Sequence, residues 1–254
     1  MSNTQERQNT INRGLFPYVK PEHITNGEEQ YMSTIGDAEN TMRVIRRYVK
    51  EGERVEEMSI ADAFACLGGN TYFFAEAFRE VDAYELDETR RGHLEKNIRA
   101  FYKRDNVDVY ADCGVGAHNI FEIYHDVVFL DPPWLNPNTK AVDSFAFEEV
   151  QRICARLADT ATTKYVFAKL PLRRDHESSF KTLLQALEAK WSGIDTKIIQ
   201  RRKGPTYTIV CARLTALGVQ EVDSADTDDT AQDNSVADVK ELLMRLRGLC
   251  DNTA

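Results

Sequence analysis

The residues best suited to chemistry are Asp131, Pro132, Pro133 and Trp134, which follow the apolar run Val127-Val128-Phe129-Leu130. Two prolines after an acid fix φ twice and remove two backbone donors, so the turn presents the Asp131 carboxylate and carbonyl oxygens outward. Acceptors without donors suit a planar exocyclic NH2, which has two hydrogens to give. A nitrogen held by both hydrogens gains electron density and is aimed at an electrophile. Trp134 adds a flat face on which a nucleic-acid base stacks, worth roughly 1–3 kcal/mol.

Three upstream segments carry acids at comparable places. Asp62 opens Asp62-Ala63-Phe64-Ala65-Cys66-Leu67-Gly68-Gly69-Asn70-Thr71. Its two glycines let the backbone turn sharply and approach a ligand, and the helix that follows points N-terminal amides at it. There is no Gly-Lys-Ser/Thr and no Gly-x-Gly-x-x-Gly, so the turn fits a charged group smaller than a polyphosphate. Glu85, in Tyr84-Glu85-Leu86-Asp87, lies 23 residues beyond Asp62 and can accept both hydroxyl hydrogens of a ribose. The absence of an adjacent arginine fits a ribose without a 2′-phosphate. Asp112 ends a third segment, within reach of an adenine amino group. Three successive strand ends bearing acids favour an adenosine-containing cofactor.

These residues need a frame that gathers strand ends. Strands are predicted at Ser59 to Phe64, Val81 to Glu85, Val107 to Ala111, Asp126 to Leu130 and Lys164 to Lys169, with a closing pair at Lys197 to Gln200 and Tyr207 to Arg213 around Lys203-Gly204-Pro205. Helices are predicted from Thr34 to near Gly52, Thr71 to Phe78, Glu88 to Phe101, Phe147 to Leu157 and Glu177 to Lys190, with a short helical piece at His118 to Ile123. Repeated strand-then-helix units imply an α/β fold, a mostly parallel seven-stranded sheet with helices on both faces and a closing antiparallel hairpin. Ligands of open sheets bind outside the carboxyl ends of the strands, where the acids above lie. Residues 1–30 read as a flexible arm with a docking segment at Gly14 to Val19, residues 31–218 as the domain, and 219–254 as an acidic disordered linker with a terminal helix over Val236 to Leu249.

The chain has 254 residues, is 42% hydrophobic and carries a net charge of −9, enough length for one sizeable core. Seven acids without a base fall between Val219 and Asp238, and the remainder of the chain balances at −2. That excludes a protein that coats long nucleic acid and leaves room for one that grips a short end through stacking and local cations. Lys169, Arg173 and Arg174 after the fifth strand, and Arg201-Arg202-Lys203 in the last turn, could meet phosphates, with binding that weakens in salt. The five cysteines form no CxxC pair, so neither a disulfide framework nor a metal site is expected. No apolar run of spanning length and no apolar signal core is present, which predicts no membrane contact and an intracellular protein of nucleus or cytoplasm, monomeric and not secreted.

The order of a Gly-Gly turn, acids after the second and third strands, and Asp-Pro-Pro-Trp after the fourth resembles the S-adenosylmethionine-dependent amino methyltransferases. More narrowly, Asp62 to Thr71 together with Val128 to Trp134 resembles the trimethylguanosine synthase family, which methylates N2 of the 7-methylguanosine cap of RNA. The resemblance spans about Tyr31 to Arg213. It implies a Rossmann-like methyltransferase, S-adenosylmethionine as cofactor, S-adenosyl-L-homocysteine as product and capped RNA as partner. It implies cofactor contacts from Asp62, Gly68, Asn70, Thr71, Glu85 and Asp112, completed by Thr34, Phe64, Gly69 and Asp87. Trp134 would stack on the methylated guanine, whose positive charge is attracted to an indole face. Asp131 and the Pro132 carbonyl would hold the amine, next to Pro133, with Asn136, Lys169, Arg173, Arg174 and Tyr31 facing the substrate. Ser33-Thr34, with Phe16, Tyr18 and Tyr31 nearby, is the candidate for completing the cap pocket.

The chain departs from the family in three places. Trp134-Leu135-Asn136-Pro137 replaces Trp-Gly-Gly-Pro, and Asp131 stands where many members have serine, as in N6-adenine and ribosomal-RNA guanine-N2 enzymes. Lys169-Leu170-Pro171 resembles the family's Leu-Pro-Lys/Arg segment with the base placed before it. Adenine N6 and ribosomal guanine N2 therefore remain alternative targets. An inactive cofactor-binding subunit recruiting a protein partner through its tail helix is the alternative of another class.

Overall fold

Strand segments such as Val127-Val128-Phe129-Leu130 are apolar at consecutive positions, the pattern of strands covered on both faces. The computed structural model of the chain describes residues 18–19, 21–24, 32–134, 145–172, 176–199 and 206–214. Its strands are β1 (Ser59–Asp62), β2 (Glu80–Tyr84), β3 (Val107–Tyr110), β4 (His125–Leu130), β5 (Thr163–Pro171), β6 (Trp191–Ile199) and β7 (Tyr207–Leu214). They form one seven-stranded sheet in the order β3-β2-β1-β4-β5-β7-β6. The first five strands pair in parallel, and β7 runs antiparallel to both β5 and β6, as the sequence predicts.

The helices are α1 (Ile35–Tyr48), α2 (Gly69–Ala77), α3 (Glu88–Phe101), α4 (Phe145–Thr160) and α5 (Glu177–Glu188). Strand residues alternate strictly between two cores. Ile60, Val127, Phe129, Tyr165, Phe167, Tyr207 and Ile209 pack with Met42 and Ile45 of α1 and Phe74 of α2. Ala61, Val128, Leu130, Val166, Ala168 and Val210 pack with Val150 and Ile153 of α4 and Leu183 and Leu184 of α5. The two-residue period thus assigns each strand-end residue to a face before any contact is considered. Asp62, Asp131 and Lys169 share the parity of Ile60, Phe129 and Phe167, so they belong to the α1 and α2 side. No helix among the described residues is long and apolar enough to cross a membrane.

Several predicted elements are corrected. His118 to Ile123 is a series of turns, not a helix. Asn119 donates from Nδ2 to the Gly116 carbonyl at 2.6 Å and accepts the Phe121 amide at 3.0 Å, side-chain bonds that compete with a helix. β6 begins at Trp191, six residues before the predicted start, because Trp191 is an anchor in the core beneath α5. A register shift between Ser192 and Asp195 follows, with Gly193 at φ +55°. Within the arm predicted over 1–30, Val19, the last residue of the predicted docking segment, is buried with Ile24, Met32 and Leu67, while residues 14–17 lie outside the described residues. His23 adds a bond from Nδ1 to Asn97 Oδ1 at 2.6 Å. The acidic linker and terminal helix predicted over 219–254 lie outside the described residues, as does the turn Lys203-Gly204-Pro205.

Candidate active site

Where β1 ends, Asp62 is buried, with 1% of its surface exposed. Its Oδ2 accepts the Thr71 hydroxyl of α2 at 2.8 Å, while Oδ1 has no hydrogen-bond partner among the described residues. Burial, and next among the raising influences the nearby Asp131 charge, push the Asp62 carboxyl up to about 7. The turn between β1 and α2 is shaped by its glycines. Gly68 has φ +98°, and a Cβ there would meet Tyr102 Oη at 2.5 Å and Leu94 Cδ1 at 2.9 Å. A Cβ on Gly69 would come within 2.7 Å of the Ser33 carbonyl oxygen, a backbone atom that cannot swing aside. The second glycine therefore admits the segment before α1 into the site. Phe64 is half-buried against the core beneath α4 and α5.

The next two strand ends hold their acids by local bonds. Glu85 Oε1 accepts the Asp87 amide at 2.9 Å and Arg90 Nε at 3.1 Å. No arginine adjoins Glu85 in sequence, but Arg90, five residues on, is brought back to it by the first turn of α3. Asp87 is the N-cap of α3, its Oδ1 accepting the Arg90 amide at 2.9 Å. Asp112 Oδ1 accepts the Gly114 amide at 2.7 Å, a tight loop that fixes the end of β3.

At the end of β4 the arrangement is different. Asp131 Oδ2 accepts from Lys169 Nζ at 2.8 Å, Ser33 Oγ at 3.2 Å and Asn70 Nδ2 at 3.3 Å. Ser33 Oγ in turn accepts from Lys169 Nζ at 2.6 Å and Asn70 Nδ2 at 3.0 Å. Four side chains from the segment before α1, the first turn of α2, the β4 end and β5 thus close one network. Leu130 stands beside Ala168 in the β4–β5 register, so Asp131 and Lys169 follow as neighbours on the same face. The Lys169 side chain is 3% exposed and that of Asp131 12%.

Pro132 is buried and Pro133 exposed. Trp134 is half-buried and packs against both cores, and its Nε1 donates to the Lys169 carbonyl at 3.3 Å. Tyr207 of β7 lies beside it, with ring centroids 6.0 Å apart. Lys169 Nζ is 5.4 Å from the Trp134 centroid and 5.1 Å from that of Tyr207.

The fold therefore brings Asp62, Gly68, Gly69, Asn70, Thr71, Asp131, Trp134 and Lys169 together. Lys169 is corrected as a phosphate contact, since its ammonium is buried against Asp131 and two rings. Thr34 caps α1, its Oγ1 accepting the Asp37 amide at 3.4 Å and donating to Asp37 Oδ2 at 2.7 Å. Tyr18, named near the candidate cap pocket, stacks on Tyr72 with 3.4 Å between centroids. Tyr31, Asn136, Arg173, Arg174, Phe16 and Arg201-Arg202-Lys203 lie outside the described residues. Ser33, named with Thr34 as a candidate for the cap pocket, is bonded to Asp131; Tyr207 is the residue least legible in advance. The signal for Tyr207 is its place at a doubly covered strand position, and that for Lys169 is a charge inside Tyr165-Val166-Phe167-Ala168-Lys169-Leu170.

Solved structures share this architecture. The chain is 13% identical to the delta-N METTL16 methyltransferase domain, with a TM-score of 0.58 over 71% of this chain and 83% of that one. Against the human methyltransferase 10 domain containing protein the identity is 12% and the TM-score 0.53, over 69% and 81%. Magnesium protoporphyrin IX methyltransferase from Synechocystis, solved with bound SAM, gives 14% identity and a TM-score of 0.50 over 84% and 92%. The fold is accordingly Rossmann-like, of the methyltransferase kind. Uncharacterized protein L320 of Acanthamoeba polyphaga mimivirus is 28% identical over 187 residues, 72% of this chain and 66% of that protein. The sequence model of the RNA cap guanine-N2 methyltransferases matches residues 57–201, more than half of the chain, and the protein belongs to that family.

Proposed function

We propose that this chain transfers a methyl group from S-adenosylmethionine to the exocyclic N2 amine of guanine in the 7-methylguanosine cap of RNA. The observation that carries the reading is a carboxylate acceptor, Asp131, held beside the Trp134 ring at a strand end that adjoins the Gly68-Gly69 turn.

The residues fit the cofactor. Asp62 Oδ1 and Asn70 Oδ1 are buried acceptors without partners among the described residues, as a cationic ligand with N–H donors requires. The Gly68-Gly69 turn has the backbone conformation and closeness that only glycine allows. Glu85 takes its protein bonds on Oε1, which leaves Oε2 to accept ribose hydroxyls. Leu86 and Val115 are exposed apolar side chains at the β2 and β3 ends, surfaces suited to a purine. When bound, the cofactor supplies an electrophilic methyl on a positive sulfur.

Within this site Trp134 stacks the base and fixes its plane. Asp131 Oδ1 and the Pro132 carbonyl accept the two amine hydrogens, which orients the nitrogen lone pair. Positioning of this kind accounts for several kcal/mol of a barrier, on the order of 7 kcal/mol in favourable cases. The nitrogen's proton becomes acidic only once the new N–C bond forms, and Asp131 Oδ1 is placed to take it.

The test is methyl transfer from labelled S-adenosylmethionine to 7-methylguanosine-capped RNA, GTP-capped RNA and adenine-rich DNA in parallel. Label is expected in the 7-methylguanosine cap. Label in the adenine substrate alone would overturn the cap reading and favour the N6-adenine alternative that Asp131 keeps open.

A further inference from the structure

We propose that Lys169 is a positioning residue for the transfer step: it holds Asp131 in one orientation, so that a single carboxylate oxygen, Oδ1, is offered to the substrate amine. The inference rests on the reading of Asp131 as the amine's acceptor.

A carboxylate at the end of a short side chain has a broad, roughly two-fold torsion, so its two oxygens exchange unless something distinguishes them. Here three donors from three separate elements converge on Oδ2 alone: Lys169 Nζ at 2.8 Å, Ser33 Oγ at 3.2 Å and Asn70 Nδ2 at 3.3 Å. Oδ1 receives none of these bonds, and the carboxylate keeps 12% of its surface exposed. The asymmetry therefore presents one oxygen outward and retires the other.

Lys169 is fitted to no other task. Its ammonium has three hydrogens; two meet Asp131 Oδ2 and Ser33 Oγ, and the Trp134 and Tyr207 rings lie within cation–π range. A phosphate has no approach to a group 3% exposed and enclosed in this way. A buried ion pair is also a poor source of stability, because desolvation offsets the attraction. What the pair does supply is geometry: the ammonium links the amine acceptor to the stacking ring through one side chain, whose own carbonyl accepts Trp134 Nε1 at 3.3 Å.

The test compares wild type, Lys169→Met and the double variant Lys169→Met/Asp131→Ser, measuring kcat and KM for capped RNA and Kd for S-adenosylhomocysteine. Lys169→Met is expected to lower kcat about 100-fold, with KM and Kd within about threefold, as a slight misplacement of a reacting group does. The double variant is expected to recover at least about tenfold over the single one, because no unpaired carboxylate remains and serine still offers an acceptor. Wild-type kcat in Lys169→Met, a loss confined to KM or Kd, or a double variant no better than the single one would each overturn the proposal. Ser33→Ala and Asn70→Ala each remove one donor and leave the ion pair, so they carry the test if Lys169→Met does not fold. Each should lower kcat about tenfold, and wild-type kcat in both would overturn the proposal. An active wild type with an equally active Lys169→Met sinks this inference alone, whereas a wild type that methylates no nucleic-acid amine sinks the functional reading with it.

Discussion

The two halves of the sheet's carboxyl edge satisfy their acids in different ways. On the β1–β3 side the partners are close in sequence. Thr71 lies nine residues from Asp62, Arg90 five from Glu85 and three from Asp87, and Gly114 two from Asp112. On the β4–β5 side the donors to Asp131 come from 98, 61 and 38 residues away. The first half is set by turns and caps that form with their own helices. The second exists only when the segment before α1, α2, β4 and β5 are all in place. A site whose acceptor depends on four elements at once couples its chemistry to the completed fold.

Removing Asp131 should therefore have the largest effect. Asp131→Ala takes away the proposed acceptor of the amine and leaves the Lys169 charge buried without its partner, at a cost of about 3 kcal/mol in stability. Methyl transfer should fall at least about 100-fold while calorimetry finds S-adenosylhomocysteine affinity within a fewfold of wild type. Equal transfer would remove the distinction drawn between the two halves.

Next in size is Asp62, whose acid form is favoured in the folded protein. Its carboxyl titrates near 4 when unfolded and is pushed up to about 7 when folded. The folded state thus holds the extra proton between those values, and stability falls as pH rises through that window, by an amount on the order of a few kcal/mol. Urea unfolding at about pH 5 and about pH 8 should show this slope in the wild type, and Asp62→Asn, which cannot ionise, should flatten it.

Gly69→Ala probes the contact between the halves, since its Cβ would press on the Ser33 carbonyl at 2.7 Å. A stability loss of about 1–3 kcal/mol is expected in the same measurement. Asp87→Ala should cost least, about 1 kcal/mol from the lost N-cap of α3. A larger loss there than at Gly69 would contradict the view that the first half is locally built.

The alternation of buried strands, the Gly-Gly turn, the acids at strand ends and Asp-Pro-Pro-Trp are all local patterns, and they were sufficient to predict the parallel sheet, its closing hairpin and the edge where the site lies. Local patterns also place Asp87 before a helix, but they do not say that its Oδ1 caps α3. Lys169 shows the limit most clearly. Its sequence neighbours mark it as a charge inside a covered strand, yet nothing nearby in the chain identifies Asp131 as the group it neutralises. Ser33 is marked beside Thr34 as a site candidate, but its partner Asp131 is not, since the approach depends on Gly69 lacking a side chain. Sequence by itself determined which residues could do the chemistry, because hydrogen bonding, stacking and backbone freedom are properties of residue type and spacing. Which oxygen of Asp131 is held is set by the assembled fold alone, because that depends on donors brought together across nearly a hundred residues of chain.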